Sequence, residues 1–543
     1  MSNVAISLIQ ALKDIGVKYV FGVPSGSWVD YLEALRTTDG IEFVLVSNEA
    51  SGGFMADVHW RLTGNIAACF GTFGPGACNL STGVCGGWLD RSPMIVLADE
   101  MPDALLHRTA QMNIDNQALF KPVTKRQLRL KPGQVKSTVY QACKIACSEV
   151  PGPVYIGLPA GMGADVDLPE EKELELPEIP VIPSPEESSL QKMESWFTQH
   201  RKPILALGIT SLRAGVRKLV LQLAEKYQVP VVLTPMAKGM VPEDHPSYAG
   251  VLAHALADQV AATHSQADLV VGIGYDPVEI NYEDWMPRVP LTHIDTVAAD
   301  IDKEKYPEVL DVVGDMQTAL ERLLSGSRDP KAWDIDELKE RRDKMFAELS
   351  CEADILNARK VLGLLRQALP PDSILTCDVG AHLHLIGQAW KTWSPENQLM
   401  TNGCSSMGFG IPAAIAAKLS RPERMVACVT GDGGFLMMAG ELATAKRLGI
   451  KVIFILMSDS HLSLITIKQE KKDKPSYGTR LFTDEYLSSN NFFGVPVLPA
   501  ATIKELRDAL YKALSEEGPV VIEAFVKKED YEPYILKGNS PKS

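Results

Sequence analysis

Two apolar runs with an amphipathic stretch between them mark the C-terminal third of the chain. Residues 425–430 are apolar, 431–434 read Gly-Asp-Gly-Gly, a helical stretch runs through Glu441 to 448, and Gly449 stops it. A second apolar run at 451–457 ends in Ser458-Asp459-Ser460-His461. This order predicts a strand, a turn at 431–434, a helix and a second strand parallel to the first. Asp432 and Asp459 then fall just past the carboxyl ends of neighbouring strands, where open α/β sheets bind ligands. Two hard carboxylates beside a glycine-rich turn suit a Mg²⁺ carrying a phosphorylated ligand. Ordinary strand-end and helix-cap carboxylates are the plainer reading.

The same rhythm recurs along the chain. A helix at 5–15 precedes a strand at 17–21. A strand at 43–46 ends at Asn48-Glu49, and a small-residue helix at 50–62 stops at Gly64. A strand at 66–70 runs into Gly71-Thr-Phe-Gly-Pro-Gly-Ala-Cys-Asn79, and another is expected at 94–98. Residues 1–170 thus read as one α/β domain, and the Pro/Glu-rich stretch 168–187 as a linker. Strands at 203–207, 229–233 and 267–275 with a helix at 216–227 place a second α/β domain at 190–325. Its Gly272-Ile-Gly274 lacks the third glycine and helix of a dinucleotide fingerprint. After a charged connector at 328–342, a third domain spans 355–543, opening with a helix at 357–369 and a strand at 373–377.

Composition narrows the class. The 543 residues are 45% hydrophobic and 22% charged, as in globular proteins. A net charge of −14 without a dense Lys/Arg block argues against nucleic acid and anionic membrane. No signal-peptide pattern or membrane-length apolar run is found, so a cytoplasmic protein is expected. Nine cysteines without a C-x-x-C pair read as buried thiols. Cys143 and Cys147 have no His cluster near them, and zinc is not expected.

The stretch around Asp432 and Asp459 resembles the Gly-Asp-Gly signature of thiamine-diphosphate enzymes, with Ser458-Asp459 where Asn-Asn is usual. The catabolic, flavin-independent acetolactate synthases also tend to carry Asp there, followed by a run like Ile467-Lys-Gln-Glu-Lys-Lys472. The resemblance extends to Glu49, to Gly74-Pro-Gly-Ala-Cys-Asn79, to the run from Asp115 to Lys125, to Ile273-Gly-Tyr-Asp-Pro-Val-Glu279 and to Met407-Gly-Phe-Gly-Ile-Pro-Ala-Ala414. It implies three doubly wound parallel-sheet domains, in the order pyrimidine-binding, middle and diphosphate-binding.

The resemblance also implies site roles. Glu49 would hydrogen-bond the aminopyrimidine ring and favour its imino tautomer; its plainer reading is a helix-start carboxylate. Met407 would hold the folded cofactor. Asp432, Asp459 and the backbone carbonyl of His461 would bind Mg²⁺. Gly433, Gly434 and His382 would meet the diphosphate, and Pro24, Asn79, Gly380, Ala381, Ser406, Gly431 and Leu462 complete the expected cofactor set. Flavin is not expected. A homodimer or homotetramer with active sites at the subunit interface is, with 2-oxo acids as substrates. The expected reaction is decarboxylation of a 2-oxo acid with acyl transfer to a second carbonyl. The alternatives are a simple decarboxylase releasing an aldehyde and a cofactor-binding protein without turnover. Departures bear on this choice: Asn48-Glu49-Ala50 replaces His-Glu-Gln, Ser27 replaces a Lys, and Phe73 replaces a small Ser. No His-His pair and no His beside Gly74 is found, which argues against a decarboxylase.

Overall fold

The computed structural model describes residues 2–168, 174–280, 282–327, 333–350, 354–482 and 489–535. The ends of the first and third expected domains (169–170 and 536–543), part of the linker and the start of the charged connector lie outside the described residues. The chain builds three successive sheets. The first has β1 (Tyr19–Gly22), β2 (Glu42–Leu45), β3 (Ala67–Gly71), β4 (Met94–Glu100), β5 (Arg126–Arg129) and β6 (Val154–Pro159), in the order β2-β1-β3-β4-β6-β5. The second has β7 (Pro203–Leu207), β8 (Val231–Leu233), β9 (Tyr248–Val251), β10 (Leu269–Ile273), β11 (Leu291–Asp295) and β12 (Val309–Val313), in the order β12-β11-β10-β7-β8-β9. The third has β13 (Ile374–Cys377), β14 (Gln398–Leu399), β15 (Val426–Gly431), β16 (Ile453–Ser458), β17 (Asn491–Phe492), β18 (Val495–Ala500) and β19 (Val520–Phe525). Its order is β14-β13-β15-β16-β19-β18-β17.

All pairings are parallel except β17 with β18, so the three α/β domains expected from the sequence are present. Central strands such as β3, β4 and β16 are buried at every position. That is why they read as continuous apolar runs rather than alternating ones. Each strand order reverses about a central pair, β1/β3, β7/β10 and β13/β15, leaving a crevice at the carboxyl ends. The third domain packs on both others. Its Ala-rich helix Gly410–Ser420 lies against helix Glu49–Thr63, and its core is continuous with that of the middle domain.

Three expectations change. Residues 431–434 are not a turn: Gly431 is extended, and helix Asp432–Met438 begins at once, followed by helix Glu441–Arg447. The glycines there serve close packing, since a Cβ on Gly434 would lie 2.6 Å from Asp378 Cγ. The connector's described part is a helix, Ile335–Leu349, capped by Asp334 and burying Leu338, Met345 and Leu349. Its apolar stripe is sparse enough for the charges to hide it. The cysteines are not uniformly buried: Cys78 is exposed, and Cys85, Cys147 and Cys404 are half-buried. Among the described residues no helix is long and apolar enough to cross a membrane.

Helices Glu49–Thr63 and Pro75–Leu89 touch backbone to backbone at Gly53 and Gly83. A Cβ on Gly83 would clash with the Ala50 carbonyl and lie 2.9 Å from Gly53 Cα. Gly83→Ala should destabilise by ~1–3 kcal/mol through overpacking. Gly363→Ala, with nothing within 4 Å of the new methyl, should stabilise its helix by ~0.5–1 kcal/mol. Thermal denaturation of both variants checks the pair; equal midpoints would refute the packing argument.

Candidate functional site

The N-terminal sheet presents one group of expected residues at its carboxyl edge. Pro24 follows β1, and Glu49 opens helix Glu49–Thr63, whose N-cap Asn48 accepts the Ala50 N–H at 2.9 Å. Glu49 is 9% exposed and accepts a hydrogen bond from Asn79 Nδ2 at 3.1 Å. Asn79 sits on helix Pro75–Leu89 rather than in a loop, because Pro75 starts the helix directly after Gly74, whose φ is 67°. Asp99, which the sequence reading missed, ends β4 beside this group. It accepts the Ser25 hydroxyl at 2.7 Å, and its Oδ1 is buried without a partner. Burial raises its pKa, against hydrogen bonds from Ser25, Ser27 and Thr72 that lower it.

A second group gathers at the third sheet. The register pairs Thr430 with Leu456 and Gly431 with Met457, so Asp432 and Asp459 emerge side by side. Asp432 Oδ2 accepts the N–H groups of Asp459 at 2.8 Å and Ser460 at 2.6 Å, while its Oδ1 is buried and unpartnered. Ser460 takes a left-handed φ of 63°, a strained choice for a non-glycine residue. Asp459 accepts the His461 N–H at 3.0 Å and the Ser463 hydroxyl at 2.6 Å. Burial pushes Asp459 up to about 7, and the neighbouring Asp432 charge adds to it. Burial raises Asp432 as well.

Glycines let the surrounding segments close in. A Cβ on Gly433 would meet the Met407 methyl and lie 2.7 Å from Leu462 Cδ2; one on Gly431 would lie 3.2 Å from His382 Cε1. Gly380 and Ala381 start the helix carrying His382. That imidazole is buried, Nε2 lacks a partner, and burial lowers its pKa to about 4, so it is neutral. Ser406 donates to the Met407 carbonyl at 3.2 Å.

The 402–410 loop holding Ser406 and Met407 is pinned from all three domains. Asp378 accepts the N–H groups of Val379 at 2.7 Å, Gly408 at 2.9 Å and Gly410 at 3.1 Å. Asp90 accepts the Gly403 N–H at 2.9 Å, and Asn402 donates to the Glu279 carbonyl at 2.9 Å. Asp378 and Asp90 are both buried, which raises them to about 6 and 7. Neither was singled out from the sequence as a site residue, although Asp378 ending a strand was a usable signal. Glu523 on β19 was also missed. Burial, then the charge of Asp432, pushes it to about 7, and both its oxygens lack partners.

The two groups are not joined within the chain: among the described residues no hydrogen bond links the Glu49 carboxylate to the Asp432 group. Contact runs instead through its neighbours, where Glu441 Oε1 accepts the N–H groups of Ser47 at 2.9 Å and Asn48 at 3.0 Å.

The residues present fit a divalent cation with a phosphorylated ligand. Asp432 Oδ1 is an oxygen with nothing to bind, next to a second carboxyl whose ionisation burial opposes. His382 Nε2 likewise lacks a partner, and its ring packs against Gly431. Among the described residues no three His, Cys, Asp or Glu side chains form a metal cluster. A cation here would therefore take further oxygens from the main chain and the ligand.

Known proteins match the chain along most of its length. Three models of the thiamine pyrophosphate enzymes match in chain order: the N-terminal TPP binding domain at 2–119, the central domain at 190–323 and the C-terminal TPP binding domain at 378–524. The chain is 29% identical to the probable acetolactate synthase large subunit of Methanocaldococcus jannaschii, over 98% of this chain and 93% of that one. It is 28% identical to acetolactate synthase isozyme 1 large subunit of Escherichia coli, over 96% and 94%. It is 27% identical to acetolactate synthase of Bacillus subtilis, over 96% and 93%. With all three domains matched in order and similarity running almost end to end, the chain belongs to the thiamine pyrophosphate enzymes and is acetolactate synthase-like.

Proposed function

We propose that the chain is a Mg²⁺-dependent carboligase that decarboxylates a 2-oxo acid and transfers the acyl unit to a second carbonyl. The observation that carries this is the Asp432–Asp459 pair, with the buried and unpartnered Asp432 Oδ1, beside glycines 431–434. When bound, thiamine diphosphate supplies the electron sink for loss of carbon dioxide. Asp432, Asp459 and the His461 main chain would supply oxygens to the cation. Gly433 and Gly434 would donate hydrogen bonds to the diphosphate, with Gly380, Ala381, His382, Ser406 and Gly431 lining its path. Met407 and Leu462 would offer an apolar surface to the rings. Glu49, held by Asn79, would keep a proton at the aminopyrimidine nitrogen, with Pro24 beside it. Because Glu49 and Asp432 belong to separate groups in one chain, a second copy completing each site is the arrangement that best unites them.

A flavin is not part of this reading. Glu279 turns its carboxylate onto the Ile209 N–H at 3.0 Å, the Met236 N–H at 2.9 Å and the Thr234 hydroxyl at 2.8 Å. Those N–H groups, just beyond β7 and β8, are the natural donors for a dinucleotide phosphate, and an internal carboxyl already uses them. A simple decarboxylase is the second reading. The observation favouring it is a pair of imidazoles that sequence adjacency does not reveal, His254 and His384, with ring centroids 5.4 Å apart. Product analysis with pyruvate separates the two: a carbon–carbon bonded 2-hydroxy-2-methyl-3-oxo acid supports the carboligase, and acetaldehyde alone rejects it.

Asp432→Ala should abolish tight cofactor binding in Mg²⁺, because it removes the unpartnered oxygen. Asp459→Asn should be milder, since the amide oxygen still accepts the His461 N–H and the buried like charge is gone. Calorimetry checks this, and equal losses in the two variants would count against the metal assignment. Glu49→Gln keeps the side chain's size but loses the proton-holding carboxylate. It should lower kcat and kcat/KM together by ~10²–10⁴-fold and slow C2-proton exchange of bound cofactor, seen by NMR. Wild-type exchange would reduce Glu49 to a helix-start carboxylate. Purified protein should show no flavin absorption; a stoichiometric flavin band would overturn the reading of Glu279.

A further inference from the structure

A cavity of about 500 Å³ lies between the middle and C-terminal domains. Three of its lining residues continue segments already placed at the candidate site. His384 follows His382 on helix Ala381–Ala389, Ser405 precedes Ser406, and Lys468 lies on helix Ser463–Lys471, which follows Leu462. The facing wall comes from the middle domain and includes His254 and Glu279. Gln388 fastens the two walls: its Oε1 accepts the Val251 N–H at 2.9 Å and its Nε2 donates to the Ala255 carbonyl at 3.0 Å. The cavity is therefore built by the fold.

Its charge is one-sided. Lys468 is half-buried, and among the described residues its ammonium has neither a hydrogen bond nor an ion pair. The imidazoles beside it do not compensate. Burial holds His254 and His384 neutral, and the Lys468 charge itself helps lower His384. His384 Nδ1 lies 3.3 Å from the Ala253 carbonyl; a carbonyl only accepts, so the ring proton sits on Nδ1. The Glu279 carboxyl is engaged with Thr234, Ile209 and Met236 on its other side. Asp284 lines the cavity but is exposed and forms no ion pair with Lys468. Among the described residues nothing supplies Lys468 with an anion, so a ligand entering the cavity would be its first counter-ion. One cation without an arginine fork suits a single carboxylate better than a phosphate.

We propose that this cavity is the anion-recognising end of the substrate site, with Lys468 pairing the carboxylate of a small reactant. The proposal rests on the carboligase reading and names its specificity determinant. The carboxylate has two possible sources, the acyl acceptor's own acid group or the distal acid group of a dicarboxylic 2-oxo acid donor.

The test uses the full-length protein with Mg²⁺ and thiamine diphosphate. Steady-state kinetics with pyruvate and with 2-oxoglutarate are measured for wild type, Lys468→Met and Lys468→Arg. Lys468→Met should raise KM by ~10- to 100-fold, as expected for a lost hydrogen bond to a charged group, with a smaller change in kcat. Lys468→Arg should restore most of the loss. A KM effect with pyruvate assigns the acceptor's carboxylate; one confined to 2-oxoglutarate assigns the distal group. A readout independent of turnover is acetylation of Lys468 by an acylating reagent, followed by mass spectrometry, which either acid should suppress. Unchanged KM for both acids, with Lys468 acetylated equally with and without them, overturns the proposal. If carbon dioxide release persists, that result leaves the carboligase reading standing. Protection of Lys468 in a protein that binds no cofactor would instead reject the carboligase reading and keep the anion site.

Discussion

The buried Asp378 carboxylate is the constraint on which the site depends. It sits at the end of β13 with no solvent to ionise into, and burial raises it to about 6. It is stable there because three backbone N–H groups, from Val379, Gly408 and Gly410, converge on it. Those bonds draw the Met407 loop against the strand ends. A Cβ on Gly434 would collide with the same carboxyl. The glycines after Asp432 are thus needed for approach rather than for turning. Asp90 and the Glu279 carbonyl hold the other end of the loop, so its position registers the placement of all three domains at once.

Around this anchor the structure keeps several polar atoms without partners: Asp432 Oδ1, His382 Nε2 and both oxygens of Glu523. Buried polar groups are usually satisfied, and their concentration at strand carboxyl ends marks where a ligand supplies what the chain does not. At the corresponding edge of the middle sheet the Glu279 carboxylate accepts the Ile209 and Met236 N–H groups and the Thr234 hydroxyl, so those donors are satisfied from within.

Lys468 and the two neutral imidazoles extend the same logic towards the substrate. Their wall is formed where helix Ala381–Ala389 meets the middle domain, and Gln388 fixes that junction. Specificity would then be set at a domain boundary, on the same segments that carry His382, Ser406 and Leu462.

Ten of the strands, the domain order and the pairing of Asp432 with Asp459 were legible in the chain alone, whereas β5, β6, β9, β11, β12, β14 and β17 to β19 were not. Central parallel strands are buried on both faces and appear as apolar runs, and a single crossover fixes which residues leave neighbouring strands together. The sequence also marked Glu49 and Asn79, whose contact needs only two adjacent crossovers. It misread Gly431–Gly434 as a turn and the helix Ile335–Leu349 as a connector, since glycine composition and charge density conceal packing. Long-range packing alone shows that Glu441 holds the backbone at Ser47 and Asn48, that Asp90 reaches Gly403, that Glu279 accepts the Ile209 and Met236 N–H groups, and that His254, His384 and Lys468 share one cavity. These depend on burial and on donors supplied by segments far apart in the chain. A carboxyl or an ammonium acquires its chemistry from the partners it is given or denied, and local sequence does not specify those partners.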